Sequence, residues 1–429
     1  MRKFFFLVLV LFCFCVIGIF VFTNKLSDIG NAFPNGISLK HQDTENNKEI
    51  SFEESLDREI KSMTMEEKAG QLLIVGFSGY EPDYYINRMI NLRHIGGVIL
   101  FSRNIKDPVQ VGSLANKLQA LAKSNRDPSL FIAVDQEWGE INRFKEGITL
   151  FPGSNSLGKI ASAKDVYTAA NDTAKELKAI GINVNFAPVV DLAFKNGVMY
   201  NRSYGKDPQL VANLGEASIL GSRNGGIIPA VKHFPGLGRA MFDPHQGAVK
   251  IDTDLFVLNK TDLIPFKQAL KANIEMVMVS NALYPKIDAK NPACFSYPIL
   301  TDLLRHTMGY KGIIVTDDLE MGAALSQDSV GRLAVKAINA GADIVLVCHT
   351  PEKQREAYEA LLSAIKRKEI SKKRLNDSLK RILTLKLEKG IGEKVDTTNI
   401  NKFVNTAEHK KHAEEIEKKL MTRSLSHSR

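Results

Sequence analysis

Cysteine is scarce, with four in 429 residues. Two of them, Cys13 and Cys15, lie inside an apolar N-terminal run, which leaves only Cys294 and Cys348 elsewhere. Those two could pair with each other, but they cannot build a disulfide framework, and no spacing of Cys, His or acids suggests a metal site. No Gly-x-Gly-x-x-Gly follows the first strand-like run, which argues against a doubly wound dinucleotide-binding sheet. Nothing calls for a cofactor. Nucleic-acid motifs are missing as well. The formal net charge of +9 therefore reads as a solvated basic surface suited to an acidic polymer or an anionic membrane face, not to nucleic acid. Tryptophan occurs once, at Trp138, where stacking on a ligand and packing in the core are both open.

Long apolar runs are also rare, with one exception. Arg2-Lys3 precede nineteen residues, Phe4 to Phe22, without a charge. As a helix they would span about 28 Å, enough to cross a bilayer core. The run exceeds an ordinary signal-peptide apolar region and no small-x-small cleavage site follows, so residues 1–25 read as an uncleaved anchor. The basic flank places the N-terminus inside and the remainder outside a cell membrane, with secretion as the alternative if the segment is cut. Residues 26–50 are polar and read as a linker, residues 51–390 as the folded domain, and residues 391–429 as a charged tail or packing helix.

Within the domain, eight short apolar runs rich in β-branched and aromatic residues recur: 71–77, 97–101, 131–135, 182–188, 227–231, 274–279, 312–316 and 343–348. Helix-compatible stretches separate most of them, among them 108–124, 163–180, 209–224, 262–272, 330–340 and 352–368. Buried strands alternating with helices predict a parallel sheet, and eight such units predict an α/β (β/α)8 TIM barrel. In a barrel the chemistry gathers at the C-terminal strand ends. Those ends carry Asp135-Gln136-Glu137, Asp191, Lys232-His233, Ser280-Asn281, Asp317-Asp318 and His349. Carboxylates with a Lys-His pair and no metal cluster suit a neutral, polyhydroxylated substrate. Glycoside cleavage needs one group to protonate the leaving oxygen and one carboxylate at the anomeric carbon, a part that Asp317 or Asp318 could supply. Asp243-Pro244-His245, in the glycine-rich loop after Lys232-His233, offers an acid-oriented imidazole as proton donor.

The strings Gly70–Phe77, Gly96–Phe101, Asp135-Gln136-Glu137, Arg202-Ser203-Tyr204-Gly205, Lys232-His233-Phe234-Pro235-Gly236, Thr316-Asp317-Asp318-Leu319 and Ala340-Gly341-Ala342-Asp343 follow one another in order. Together they resemble family 3 glycoside hydrolases of the NagZ-type β-N-acetylglucosaminidases over roughly residues 55–390. The resemblance implies a retaining exo-hydrolase that removes terminal β-linked GlcNAc from peptidoglycan-derived fragments through a covalent glycosyl-aspartate. It implies Asp317 as nucleophile, His245 as acid/base with Asp243 orienting it, and Asp135, Arg143, Arg202, Lys232 and His233 as sugar-binding groups. Asp318 reads as a structural partner of the loop backbone. This chain departs from the family pattern at Leu237, Arg239, Pro244, Trp138, Glu140 and Asn281, the last in place of a histidine. Those departures keep two alternatives open: a catalytically weakened glycan-binding barrel, and an enzyme that uses phosphate instead of water.

Overall fold

The computed structural model describes residues 51–427 apart from 242–248 and 326–327. The anchor (1–25), the linker (26–50), Asp243, Pro244 and His245 all lie outside the described residues. Among the described residues no helix is long and apolar enough to cross a membrane.

Eight strands close in sequence order into a barrel: β1 (Leu73–Gly76), β2 (Gly97–Leu100), β3 (Phe131–Val134), β4 (Val184–Asn185), β5 (Ile228–Phe234), β6 (Met276–Val279), β7 (Ile313–Asp318) and β8 (Ile344–Val347). Every pair is parallel, and β1 closes on β8 with Ile74 beside Leu346. Apart from Asp317 at the end of β7, every strand residue is buried, because side chains fill the interior on one face and helices cover the other. That is why the strands are runs of Val, Ile and Leu with little polar alternation.

The helices are α1 (Phe52–Ser62), α2 (Met65–Gln71), α3 (Tyr84–Arg93), α4 (Pro108–Ser124), α5 (Ser154–Ile160), α6 (Ala163–Ala179), α7 (Pro208–Asn224), α8 (Leu255–Lys260) and α9 (Leu263–Lys271). A π-type helix (Pro298–Thr307) follows, then α10 (Gly322–Leu325), α11 (Val330–Ala340), α12 (Pro351–Lys366), α13 (Lys372–Glu388) and α14 (Ala407–His427). Start signals are local. Asp107 Oδ1 accepts from Gln110 N at 2.8 Å ahead of Pro108, and Pro at the first helical position costs no hydrogen bond. Helix α14 packs on α5 and α6. Its His409 and His412 bond buried Glu176 and Asp172 of α6 at 2.6 and 2.7 Å.

Three strand boundaries differ from the sequence expectation, and all three shape the site. Strand β5 continues through Lys232, His233 and Phe234 where an end at Val231 was predicted, with a register shift against β6 between Val231 and Phe234. Its charged residues can stay in the sheet because acids from neighbouring strand ends meet them. Strand β7 likewise runs on through Asp317-Asp318. Strand β4 shrinks to two residues because side chains take over its ladder. Asn183 Oδ1 accepts from Ile132 N and Asn185 Oδ1 from Gln136 N, both at 2.9 Å. At the opposite end of the barrel, buried Asp343 of the Ala-Gly-Ala-Asp string accepts from Arg305, Arg374, Arg381, Ser378 and Ile314 N. That motif serves stability, as residues at the N-terminal barrel face usually do.

Candidate active site

Five charged side chains form one alternating chain across the C-terminal ends of β3 and β5 and the loop after β4. Arg143 meets Asp135 at 3.0 Å, and Asp135 meets Lys232 at 2.8 Å. Lys232 also meets Glu137 at 2.6 Å, and Glu137 holds Arg202 through two bonds of 2.7 and 2.8 Å. The backbone explains why both acids are available. Asp135 and Glu137 are two residues apart at a strand end, so they point the same way. Burial pushes the Asp135 and Glu137 carboxyls up, but Lys232, Arg143 and Arg202 overcome it. Asp135 is held well below the usual carboxylate range and Glu137 at about 2. Burial likewise pulls the Lys232 ammonium down, yet the two carboxylates raise it above its ordinary value. The rim therefore keeps its charges at neutral pH, and its cations can donate to hydroxyls.

Beside this chain, Asp191 organises the exit of β5. Its Oδ2 accepts from His233 N at 3.0 Å and from His233 Nδ1 at 2.7 Å, and its Oδ1 accepts from Leu237 N at 2.6 Å. With Nδ1–H committed to the carboxylate, His233 turns Nε2 away from Asp191 as its other ring nitrogen. Gly238 is required where this loop crosses the one after β4. A Cβ there would sit 2.0 Å from the Leu192 carbonyl oxygen.

Asp317 ends β7 half-buried, and its Oδ1 accepts from Asp318 N at 2.8 Å. The carboxylates converge. The buried Cys348 thiol is pushed up first by burial and then by the nearby charges of Asp318, Asp135, Asp317 and Glu320. Asp318 is a structural partner of the loop backbone, as the sequence suggests. Its Oδ1 accepts from Glu320 N and Cys348 N, each at 3.1 Å. His349 approaches its Oδ2 at 3.3 Å through Nε2, while Nδ1 lies 3.1 Å from Arg103, which can only donate. His349 is thus a satisfied rim histidine with the proton on Nε2.

Burial, helped by Glu320 and Asp317, raises the Asp318 carboxyl to about 7. Its folded-state pKa lies above the ordinary carboxylate value, so its contribution to stability is full in acid and is lost as pH rises through about 7. Asp318→Asn removes that titration. The stability lost between about pH 5 and about pH 8 in urea unfolding should shrink by on the order of 2 kcal/mol relative to wild type. An unchanged pH slope would contradict the assignment.

Trp138 packs. It is 7% exposed, its Nε1 donates to Thr173 Oγ1 at 3.0 Å, and its ring meets Phe151 edge-on, so the stacking alternative is set aside. Leu237 is buried and contributes its backbone to Asp191. Arg239 bonds Asp262 and Thr261 and lies over the Phe194 ring. Glu140 accepts from Asn201. Cys294 and Cys348 are both buried and unpaired. Of the predicted site residues, Asp135, Arg143, Arg202, Lys232, His233 and Asp317 come to one rim, while Asp243 and His245 lie outside the described residues. Lys232 bridges Asp135 and Glu137 and not Asp191, which goes to His233. Sequence reasoning missed the roles of Glu137 and Asp191, although the two-residue step from Asp135 was a usable signal for the first. Among the described residues, Glu67, His94 and Asp127 bring metal-type donors together. They lie at the far end of the barrel, where a His94–Asp127 ion pair of 2.8 Å accounts for the grouping.

A closed parallel barrel with carboxylates and cations converging at its C-terminal rim defines the class: a TIM-barrel enzyme with its site in the βα loops. The chain belongs to glycosyl hydrolase family 3, whose N-terminal domain matches residues 64–385. It is similar to a protein named β-hexosaminidase A from Pseudoalteromonas piscicida, 36% identical over 70% of this chain, and spans only 54% of that relative's length. The fold matches a family 3 β-N-acetylglucosaminidase from Paenibacillus sp. with a TM-score of 0.80 at 36% identity, covering 83% of this chain and 69% of that one. It also matches NagZ from Neisseria gonorrhoeae, solved with N-trifluoroacetyl-D-glucosamine, with a TM-score of 0.67 at 29% identity, covering 81% of this chain and 98% of that one.

Proposed function

We propose that this protein is a retaining exo-β-N-acetylglucosaminidase that removes terminal β-linked GlcNAc from peptidoglycan-derived fragments, held at the outer face of a bacterial membrane by residues 1–25. The observation that carries the reading is the shared rim: a half-buried aspartate at the end of β7 at the same barrel end as a five-membered cation-anion-cation-anion-cation chain suited to sugar hydroxyls, in a family 3 chain. Supporting it, β-hexosaminidase and β-N-acetylglucosaminidase are the names of its similar proteins, and the net charge of +9 favours an acidic polymer.

The chemistry runs in two displacements. An Asp317 carboxylate oxygen bonds the anomeric carbon as the glycosidic C–O bond breaks, and the His245 imidazolium gives its proton to the leaving oxygen. Water then attacks the glycosyl-aspartate, neutral His245 takes its proton, and Asp317 is released as carboxylate. An imidazole in this role avoids a second anion beside the nucleophile.

Release of nitrophenol from a 4-nitrophenyl GlcNAc glycoside, with free GlcNAc as product whether or not phosphate is present, tests the reading. No release would favour a binding barrel, and GlcNAc 1-phosphate would favour phosphorolysis. His245→Ala should depress kcat/KM, which reports the first displacement, strongly for an alkyl or sugar aglycone and far less for a dinitrophenyl one, because the better leaving group needs no proton. Equal losses would remove His245 from the acid role.

A further inference from the structure

We infer that the buried pair Cys294 and Asn281 is a positioning device for Asp317, acting through the Asp318 backbone. The inference rests on the proposed role of Asp317 as nucleophile. Neither residue would touch the substrate, since Asn281 is 1% and Cys294 0% exposed. They are positioning residues.

Three hydrogen bonds in series connect the thiol to the carboxylate. Cys294 Sγ–H donates to Asn281 Oδ1 at 2.7 Å. Asn281 Nδ2 donates to the Asp318 carbonyl at 2.8 Å, with Met321 Sδ as a second, weaker acceptor at 3.5 Å. Asp318 N then donates to Asp317 Oδ1 at 2.8 Å. The last bond commits one Asp317 oxygen to the backbone and leaves the other for attack. The residue carrying that donor, Asp318, is itself held at the carbonyl of its following peptide by Asn281.

An asparagine amide can be turned over, exchanging its carbonyl and NH2 ends with little change in shape. Here the thiol decides which way it faces. A donor at Cys294 requires Oδ1 on that side and so aims Nδ2 at Asp318. Turned over, the amide would set its oxygen against the Asp318 carbonyl, which would lose its shorter donor and keep only Met321 N at 3.2 Å. The pair is local. Asn281 follows the end of β6, and Cys294 lies in the short turn Ala293–Phe295, tied back to it by Cys294 N donating to Ser280 O at 3.1 Å. Burial first, and then the nearby Asp317 charge, push the Cys294 thiol up, which keeps it protonated and therefore a donor.

Kinetics on the full chain with the chromogenic GlcNAc glycoside separate this from ordinary core packing. Cys294→Ala removes the donor and should lower kcat by roughly tenfold or more, with KM within about twofold, because attack geometry is disturbed and hydroxyl binding is not. Cys294→Ser restores an O–H donor and should recover kcat to within about threefold of wild type even if its melting temperature falls. Asn281→Ala should match Cys294→Ala in kcat, and the double variant should be no worse than either single one. A hydrolytic wild type whose Cys294→Ala form keeps its kcat overturns the inference alone. So does a Cys294→Ser form that falls as far as Cys294→Ala. A wild type that releases no GlcNAc overturns the hydrolase reading and this inference with it.

Discussion

Asp317→Asn should reduce GlcNAc release by at least about 1,000-fold with the fold intact, since the amide keeps the side-chain volume and the oxygen that accepts from Asp318 N but cannot form the glycosyl ester. The substitution removes the one carboxylate at this rim that is half-exposed and has no cation bonded to it among the described contacts. Its neighbours do not substitute for it. Asp135 and Glu137 are committed to Lys232, Arg143 and Arg202, and Asp318 bonds two backbone N–H groups. Melting curves and hydrolysis of the 4-nitrophenyl glycoside check both halves of the expectation. Retained activity would move the nucleophile elsewhere.

Lys232→Met should be the most damaging substitution for stability at the site. Lys232 is 2% exposed and sits between two buried carboxylates at 2.6 and 2.8 Å. Methionine fills similar space without charge, which leaves Asp135 and Glu137 facing each other with one arginine each. Removing one partner of a buried ionic cluster costs about 3–5 kcal/mol, enough to lower a urea midpoint clearly. Activity should fall as well, with kcat/KM down by about 100-fold or more, because Arg143 and Arg202, the cations proposed to bind the sugar, lose the acids' fixed geometry. Unfolding and kinetics on the same preparation check it. A stable variant that loses only activity would mean that Lys232 binds substrate without holding the network together.

Much of the barrel is legible from local chemistry. The Val/Ile runs fall on all eight strands because each is buried on both faces. The helix ranges Pro108–Ser124 and Val330–Ala340 come out as predicted, the first because an aspartate cap and a proline mark its start. What local pattern misses is tertiary. Lys232 and His233 read as a strand end because charge should not enter a sheet, yet β5 carries both, since Asp135, Glu137 and Asp191 from other strand ends neutralise or bond them. Strand β4 reads as seven residues and forms two, because its asparagines bond the neighbouring backbone through side chains. Trp138 could not be assigned from one residue's identity, and its partner Thr173 lies 35 positions away on a helix. The departures at Leu237, Arg239 and Asn281 look like losses when read against the family pattern. In place, each has a bonding role beside the rim.

Trapping the intermediate tests the central claim most directly. A fluorinated GlcNAc glycoside with an activated leaving group slows breakdown of the covalent species more than its formation, so intact mass followed by peptide mapping can locate the sugar. The account predicts one added glycosyl mass on the peptide containing Asp317, with fragment ions placing it on that side chain and no adduct in Asp317→Asn. A sugar on any other residue, or full turnover with no adduct on this one, would contradict it.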